Sequence, residues 1–243
     1  NFPAKDGSPY MSTGGAMCHS EEFDAEIPSE WEVKTYGDFI RIEEGSVNPA
    51  KLGDAVLEHY SIPAYDDGCF PAFERASTIL SSKYQVQPGV FLISKLNPQF
   101  KRIWDPPCLT TQAICSTEFI VCSSIDTNIR SFCLAIAKSA AFQQFMVQHA
   151  SSSTGSRKRI APKDILLFKL AVPKDQKIID KFVKITTPCL RAINEARAQI
   201  YKYQKLRSEV LPMIMSGQAG FPLQESVLWG RPHNKSEMRK QCR

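Results

Sequence analysis

The sequence lacks the short motifs that mark the commonest metal and cofactor sites. Its eight cysteines include no Cys-x-x-Cys pair, and none of its four histidines stands at a zinc-finger distance from a cysteine pair. It has no Gly-x-Gly turn of the kind that follows the first strand of a nucleotide-binding sheet, no P-loop and no Gly-x-Ser-x-Gly elbow. We therefore expect no structural zinc or other metal, no cofactor and no catalytic centre.

Long apolar runs are also missing, so no segment is apolar enough to cross a bilayer. The first residues are polar and rich in glycine and proline, unlike a signal peptide. Cys115, Cys122 and Cys133 lie inside apolar runs, where a thiol acts as a small hydrophobic group. At 243 residues, 43% of them apolar, the chain can form a core without disulfides. These features predict a protein of the reducing cytoplasm with no membrane partner.

Apolar periodicity divides the chain into four parts. Residues 1–26 are polar and without a period, which predicts a linker or arm. Residues 27–173 combine three β-rich runs with a helical stretch at residues 128–150, which predicts a mixed α/β domain. Residues 174–218 repeat apolar residues as a long helix does, and residues 219–243 predict a flexible tail. The predicted fold class is therefore α+β: a mixed α/β domain followed by a long helix that forms coiled coils.

Two local patterns make this prediction more specific. In the second β-rich run, Phe119 and Val121 should face one side of the sheet, and Ile120 and Cys122 the other, because strand side chains alternate. Within the helical stretch, Ser139 should cap a second short helix, since serine accepts a hydrogen bond from a free backbone N–H of the first turn.

The long helix carries a narrow apolar seam. Its members recur in alternating steps of three and four, with Arg207 as a charged interruption, as in a coiled coil. Thr187 and Pro188 should mark a kink or a fresh start, because proline is tolerated at the first helical position. The seam predicts pairing with another long helix, and packing of the helix on its own domain is the alternative. The predicted seam residues are Ile193, Ala196, Ile200, Tyr203, Val210 and Ile214.

The stretch KRIWDPPCLTT, residues 101–111, contains an acid followed by two prolines. Asp105-Pro106-Pro107 resembles the pocket motif of amino-methyltransferases that act on adenine or cytosine, in which a following aromatic residue stacks on the extruded base. Cys108 occupies that position and offers no stacking surface. We interpret the motif as a turn between two strands. A fragment of a single-chain DNA amino-methyltransferase that uses this motif is the alternative.

Positive charge concentrates in two predicted loops, although the formal charge of +5 only permits a polyanionic partner. The stretch HASSSTGSRKRIAPKDI, residues 149–165, combines small hydroxyl residues with three consecutive basic residues. Small residues let a backbone approach a duplex, and basic side chains donate to phosphates or to guanine. A solvated basic loop is the alternative. The predicted DNA-binding residues are Lys95, Lys101, Arg102, Ser153, Thr154, Gly155, Ser156, Arg157, Lys158 and Arg159.

Together, these motifs resemble the DNA specificity subunits of Type I restriction–modification systems. The resemblance covers about residues 3–218, and its order and spacing are more specific than any one motif. The stretches that support it are GSPYMSTGGAM (7–17), EIPSEWEVKTYGDF (26–39), YSIPAYDDG (60–68), LISKLNP (92–98), RIWDP (102–106), AICSTEFIV (113–121), STGSRKRIAPKDI (153–165) and LRSEVLPMIMSGQ (206–218).

The resemblance implies a subunit without catalysis of its own. Residues 27–173 would form a target recognition domain that recognises one part of a bipartite site in double-stranded DNA. Residues 174–218 would form the conserved helical region, which sets the spacing of the two parts and holds the methyltransferase (modification) subunits and, through the complex, the restriction subunit.

A full specificity subunit resembles two such halves in tandem, so the chain corresponds to one half. It is either a fragment, whose opening resembles the segment after the first helical region, or a half-length subunit that dimerises through its long helix. A coiled-coil adaptor without affinity for nucleic acid is a further alternative.

Overall fold

The structure, a computed structural model, describes residues 8, 10–11, 14–151 and 157–216, and all structural statements below concern these residues. The chain divides into a compact unit that ends at Gln199 and a second unit that begins at Ile200. No helix in the described ranges combines the length and the apolar character that a bilayer span requires.

The described part of the chain contains thirteen strands and four α-helices. The strands are β1 (Met17–Ser20), β2 (Ala25–Pro28), β3 (Trp31–Thr35), β4 (Ile40–Ile42), β5 (Ser46–Val47), β6 (Val56–Tyr60), β7 (Ala72–Arg75), β8 (Lys83–Gln85), β9 (Phe91–Ser94), β10 (Ile103–Trp104), β11 (Ala113–Ser116), β12 (Phe119–Ser124) and β13 (Lys169–Pro173). The helices are α1 (Ile62–Asp66), α2 (Arg130–Ala137), α3 (Ala140–Gln148) and α4 (Gln176–Met215).

Two sheets build the first unit. One is antiparallel with the strand order β10-β9-β12-β4, and the other is mixed with the order β5-β8-β11-β6-β7, in which β11 and β6 run parallel. The hairpin β1-β2 and the pair β13-β3 complete the strand pairing. This arrangement, followed by the long helix α4, confirms the predicted α+β class.

The four-stranded sheet separates two apolar cores, and β12 contributes to both. Phe119 and Val121 pack between the two sheets, whereas Ile120 and Cys122 pack in the larger core that includes side chains of α2 and α3. The predicted alternation along this strand is therefore confirmed. The core between the sheets is organised around Trp104, which contacts three aromatic rings edge to face.

The helical stretch divides as expected. The Oγ of Ser139 accepts a hydrogen bond from the N–H of Phe142 at 3.1 Å, which confirms Ser139 as the cap of α3. The short helix α1 was not predicted, because one turn is too short to show a period. The Oγ of Ser61 caps it by accepting from the N–H of Ala64 at 3.2 Å.

Part of the stretch expected to be a linker or arm forms a hairpin. β1 and β2 pair antiparallel, with Met17 opposite Pro28 and Cys18 opposite Ile27, and Ile27 is buried. Strands of four residues in a polar context are too short for periodicity to reveal them. The predicted limits of the recognition domain and of the helical region remain predictions.

Helix α4 is continuous, so the expected fresh start at Pro188 is wrong. Proline cannot donate a hydrogen bond to the carbonyl four residues earlier, which weakens a helix at that turn. Here, the hydroxyls of Thr186 and Thr187 lie 2.9 and 3.0 Å from the Oγ of Ser131 in α2. Contacts with the domain thus stabilise the turn from which Pro188 removes a donor.

Candidate nucleic-acid interface

Two loops that the sequence separates by about sixty residues are joined by backbone hydrogen bonds. After β9, the N–H of Asn97 donates to the carbonyl of Lys158 at 2.7 Å, and the N–H of Lys158 donates to the Oδ1 of Asn97 at 3.0 Å. The N–H of Ile160 donates to the carbonyl of Lys95 at 3.2 Å. The structure therefore places Lys95 beside the consecutive basic residues 157–159. From the sequence alone, Lys95 is expected to belong to a separate basic loop.

Asn97 makes this pairing possible through its backbone conformation. Its φ of 48° lies in the left-handed region, which asparagine adopts more readily than most residues. The residue that follows is Pro98, which is typical of a turn. The Asn-Pro pair within LISKLNP was the available sequence signal for this joint, and our residue-level reasoning missed it.

Arg159 forms a two-bond ion pair with Glu118, which the sequence analysis did not single out. The Nε and Nη2 of Arg159 donate to the two carboxylate oxygens of Glu118 at 3.0 and 2.7 Å. This bond lowers the pKa of Glu118, and the charges of Lys95 and Arg157 lower it further. Glu118 therefore compensates Arg159 and lies in the field of two further cations.

The other basic residues of this surface have no direct ion-pair partner among the described residues. Arg157 and Lys158 are exposed, and Lys95 is half-buried. We call Lys95, Arg157 and Lys158 the loop cations. Their ammonium and guanidinium groups are available to phosphate oxygens, whereas Arg159 fixes the loop that presents them.

The four small residues expected to let this loop approach a duplex, Ser153, Thr154, Gly155 and Ser156, lie outside the described residues. The positions on either side of them are held together. Ser151 and Arg159 exchange two backbone hydrogen bonds, of 3.0 and 2.8 Å. The described residues on the two sides of this stretch are therefore joined by a short antiparallel pairing.

The other predicted basic residues already donate hydrogen bonds to groups of the protein. Arg102 donates two hydrogen bonds of 2.8 Å to the carboxylate of Asp66, and its guanidinium lies 5.0 Å from the centre of the Phe100 ring. Their pairing raises the pKa of Arg102 and lowers that of Asp66. The Nζ of Lys101 donates to the carbonyl of Lys138 at the end of α2. Lys101 and Arg102 therefore differ from the loop cations, because both are bonded to acceptors of the protein.

The Asp-Pro-Pro motif, interpreted from the sequence as a turn between two strands, lies in the irregular connection between β10 and β11, so its predicted place between two strands is confirmed. Asp105 is only 4% exposed. Its Oδ1 accepts from Arg130, and its Oδ2 accepts from the Nδ2 of Asn194 in α4 at 2.9 Å. Both carboxylate oxygens of Asp105 are therefore occupied by donors of the protein itself.

The residues after the prolines are organised by a second buried carboxylate. Glu58 accepts from the backbone N–H groups of Leu109 and Thr110 at 3.0 and 2.7 Å and from the hydroxyl of Tyr60. The N–H of Cys108 donates to the same hydroxyl at 3.0 Å. Burial raises the pKa of the Cys108 thiol to about 12, so this thiol is a weak nucleophile.

The predicted seam of α4 is distinct from the face that the helix packs on its domain. Ile179 is buried, and Val183 and Leu190 pack against the larger core. Ile193 is 45% exposed and Ala196 is also exposed. At 3.6 residues per turn, Ile193 lies about a sixth of a turn and Ala196 about a third of a turn from the centre of the packed face. Packing on the domain and an uncovered seam therefore coexist on one helix.

The seam continues into the second unit. Ile200, Tyr203 and Ile214 are exposed, and Val210 is half-buried. Exposed apolar side chains at heptad spacing are typical of a helix that pairs with another helix. Pairing through the seam stays a prediction. Within the described ranges, no three His, Cys, Asp or Glu side chains are grouped so that they could hold a metal ion.

No protein-family model matches the chain, and no curated protein matches its sequence. Solved structures do match. The crystal structure of the HsdS subunit from Thermoanaerobacter tengcongensis aligns with a TM-score of 0.51 at 16% identity, covering 81% of this chain and 52% of that subunit. A chain from a study of complex assembly and conformational transition of the type I R-M system aligns with a TM-score of 0.50 at 19% identity, covering 84% of this chain and 53% of its own length.

The chain thus spans about half the length of the structures that it matches. At such identities the similarity establishes the fold. Its architecture of mixed sheets followed by a long helix is that of about half of a type I restriction–modification specificity subunit, which confirms the sequence resemblance at the level of the fold.

Proposed function

We propose that the chain is the specificity component of a type I restriction–modification complex and binds double-stranded DNA sequence-specifically, recognising one part of a bipartite site. The observation that best supports this proposal is the group of loop cations. Lys95, Arg157 and Lys158 are brought together from two loops, on a scaffold whose fold is that of specificity subunits.

In this proposal the loop cations contact phosphates and set the position of the domain on the duplex. Arg157 and Lys158 are exposed, and Lys95 lies at the joint of the two loops. Phosphate contacts carry no sequence information by themselves. Sequence is therefore recognised by side chains that reach base edges beside these contacts, and Ser153–Ser156 are proposed to let the backbone approach closely enough.

Arg159 has a different proposed role from its neighbours. Its two bonds to Glu118 and its backbone ladder with Ser151 hold the loop in place before DNA arrives. A preorganised loop binds more tightly, because less conformational entropy is lost on binding. Lys101 and Arg102 would have to leave their present partners to contact DNA, so they contribute less than the loop cations.

The proposed role is not catalytic. In the alternative, a methyltransferase fragment would use Asp105 at an open pocket that holds an extruded base. Asp105 does line a cavity beside α4, but it is 4% exposed and both of its carboxylate oxygens are already bonded, one to Arg130 and one to Asn194. Leu109 and Thr110, which follow the motif, are bound to Glu58. Ultraviolet cross-linking of labelled S-adenosylmethionine to the purified chain separates the two functions. We expect no labelling, and saturable labelling would support the methyltransferase.

The seam of α4 is the proposed contact for the other subunits. Its exposed members, including Ile193, Ile200 and Tyr203, offer an apolar stripe to the helix of a second half or of a second copy. The modification subunits are proposed to dock on the same helical region, and the restriction subunit to join through them.

The experiment that tests this function is reconstitution. The chain is mixed with purified type I modification subunits, and methylated bases are mapped on genomic DNA after incubation with S-adenosylmethionine. We expect a stable complex that methylates a two-part sequence, and neither component should do so alone. Failure to form a complex would refute the docking, and methylation at the same sites without the chain would refute its role in recognition.

A further inference from the structure

Among the described residues, the face through which helix α4 meets its domain is mainly apolar and includes hydrogen bonds between side chains at two places. We propose that these contacts fix the register and direction of α4 on the domain, and that Asp105 is the positioning residue at their centre. One contact joins Asp105 to Asn194, and the other joins Ser131 to Thr186 and Thr187. The functional meaning of this inference depends on the proposed function, but its test does not.

Asp105 is itself held rigidly on the domain side. Arg130 donates to the Oδ1 of Asp105 and also donates to the carbonyls of Gly89 and Val90 at 2.7 and 2.8 Å. The guanidinium group of Arg130 thus links the first turn of α2 by hydrogen bonds to the loop before β9 and to Asp105, which follows β10. The second carboxylate oxygen of Asp105 remains for one partner, and the amide of Asn194 fills that position.

The apolar and polar parts of the interface act together on the register. Ile179, Val183 and Leu190 select the face of the helix that packs on the core, and the hydrogen bonds add a requirement for specific atoms at specific positions. A slide by one residue would turn the helix by about 100° relative to its contacts and remove Asn194 from Asp105. A buried carboxylate oxygen would then lack a donor, so shifted registers are strongly disfavoured.

Two anchors are needed to fix a direction as well as a position. The hydroxyls of Thr186 and Thr187 and the amide of Asn194 are separated by seven to eight residues, or about 11 Å along the helix axis. A single contact would allow the helix to pivot, whereas two contacts at this separation restrict both sliding and swinging. In a protein that recognises one part of a bipartite site, this restriction holds the recognition loops at a set position on the spacing helix.

The test exchanges the two partners of the central contact. Asn194→Asp places a carboxylate against Asp105. Adding Asp105→Asn in the same chain restores the pairing, because the new amide can accept from Arg130 and donate to the new carboxylate on α4. Spin labels on unnatural residues at Leu80 and Gln199, both exposed, report the distance between the domain and the helix. Glu195→Gln, an exposed neighbour, is the matched control.

We expect one narrow distance distribution in the unsubstituted chain and in Glu195→Gln, measured by double electron–electron resonance. Asn194→Asp should shift this distribution or add a second peak, and Asp105→Asn should return it to the original position. An unchanged distribution in Asn194→Asp, or a failure of the double exchange to restore it, would overturn the proposal. Should Asn194→Asp not fold, Asn194→Ala replaces it, and an unaltered distribution in that variant is equally contradictory.

Discussion

Removal of two loop cations should weaken DNA binding in a way that depends on salt. Arg157→Ala combined with Lys158→Ala deletes two exposed charges for which the described part of the chain provides no ion-pair partner. The hydrogen bonds between Lys158 and Asn97 use the backbone of Lys158, so they survive the substitution. We therefore expect the melting temperature to change little, because exposed charges contribute little to stability.

The magnitude follows from counterion release. Each phosphate contact contributes about 0.9 to the slope of log affinity against log salt, so loss of two contacts should reduce the slope by about 1.8. Between about 50 and about 200 mM salt, the unsubstituted chain should consequently lose about 12-fold more affinity than the double variant. Fluorescence anisotropy of a labelled duplex, titrated at several salt concentrations, measures both slopes.

A matched control separates local contacts from overall charge. Lys51→Ala with Arg75→Ala removes the same charge from two exposed residues that belong to neither of the joined loops. We expect the control to keep the slope of the unsubstituted chain. Equal slopes in all three proteins, or an equal reduction in the control, would refute the assignment of Arg157 and Lys158 as phosphate contacts.

Three further predictions concern stability and assembly. Arg130→Met removes the partner of the buried Asp105 and should cost about 3–5 kcal/mol in urea denaturation, and a loss below about 1 kcal/mol would contradict a buried pair. Burial lowers the pKa of His59 from 6.5, and the hydrogen bond to Glu74 opposes this shift. As the pH falls, His59 is therefore protonated at a higher pH in the unfolded chain than in the folded chain. Stability should therefore fall as the pH drops below 6.5, and His59→Gln should flatten this dependence; an identical pH profile would contradict it. Ile200→Asp should reduce the sedimenting mass, because Ile200 is 55% exposed on the seam and a charge there opposes pairing, and an unsubstituted chain that is monomeric at all concentrations would contradict pairing through the seam.

Local patterns in the sequence predicted the elements whose cause is local. The alternation of Phe119 to Cys122 follows from strand geometry, and the cap at Ser139 needs only the hydroxyl and the first helical turn. The long amphipathic helix was predictable for the same reason. Its continuity through Pro188 was not, because the contacts that support this turn come from Ser131 in another helix.

The residue types of the candidate site were predictable from the sequence, but the pairs that these residues form were not. Arg159 and Glu118 are 41 residues apart in the chain, and Asp105 and Asn194 are 89 apart. No spacing rule links residues at such distances, since the folded backbone alone brings them together. The sequence therefore indicated a basic loop and an acidic turn, whereas the structure distinguishes the available cations from Arg159 and identifies Asp105 as a link to α4.

The most direct test of the account compares two duplexes for the unsubstituted chain. One duplex is selected by the chain from a randomised pool, and the other has the same composition in scrambled order. Their affinities are measured as the salt concentration rises. Both should fall, because phosphate contacts are common to the two, while the preference for the selected duplex persists, because base contacts release few counterions. Coincident binding curves at every salt concentration would contradict sequence-specific recognition by this chain.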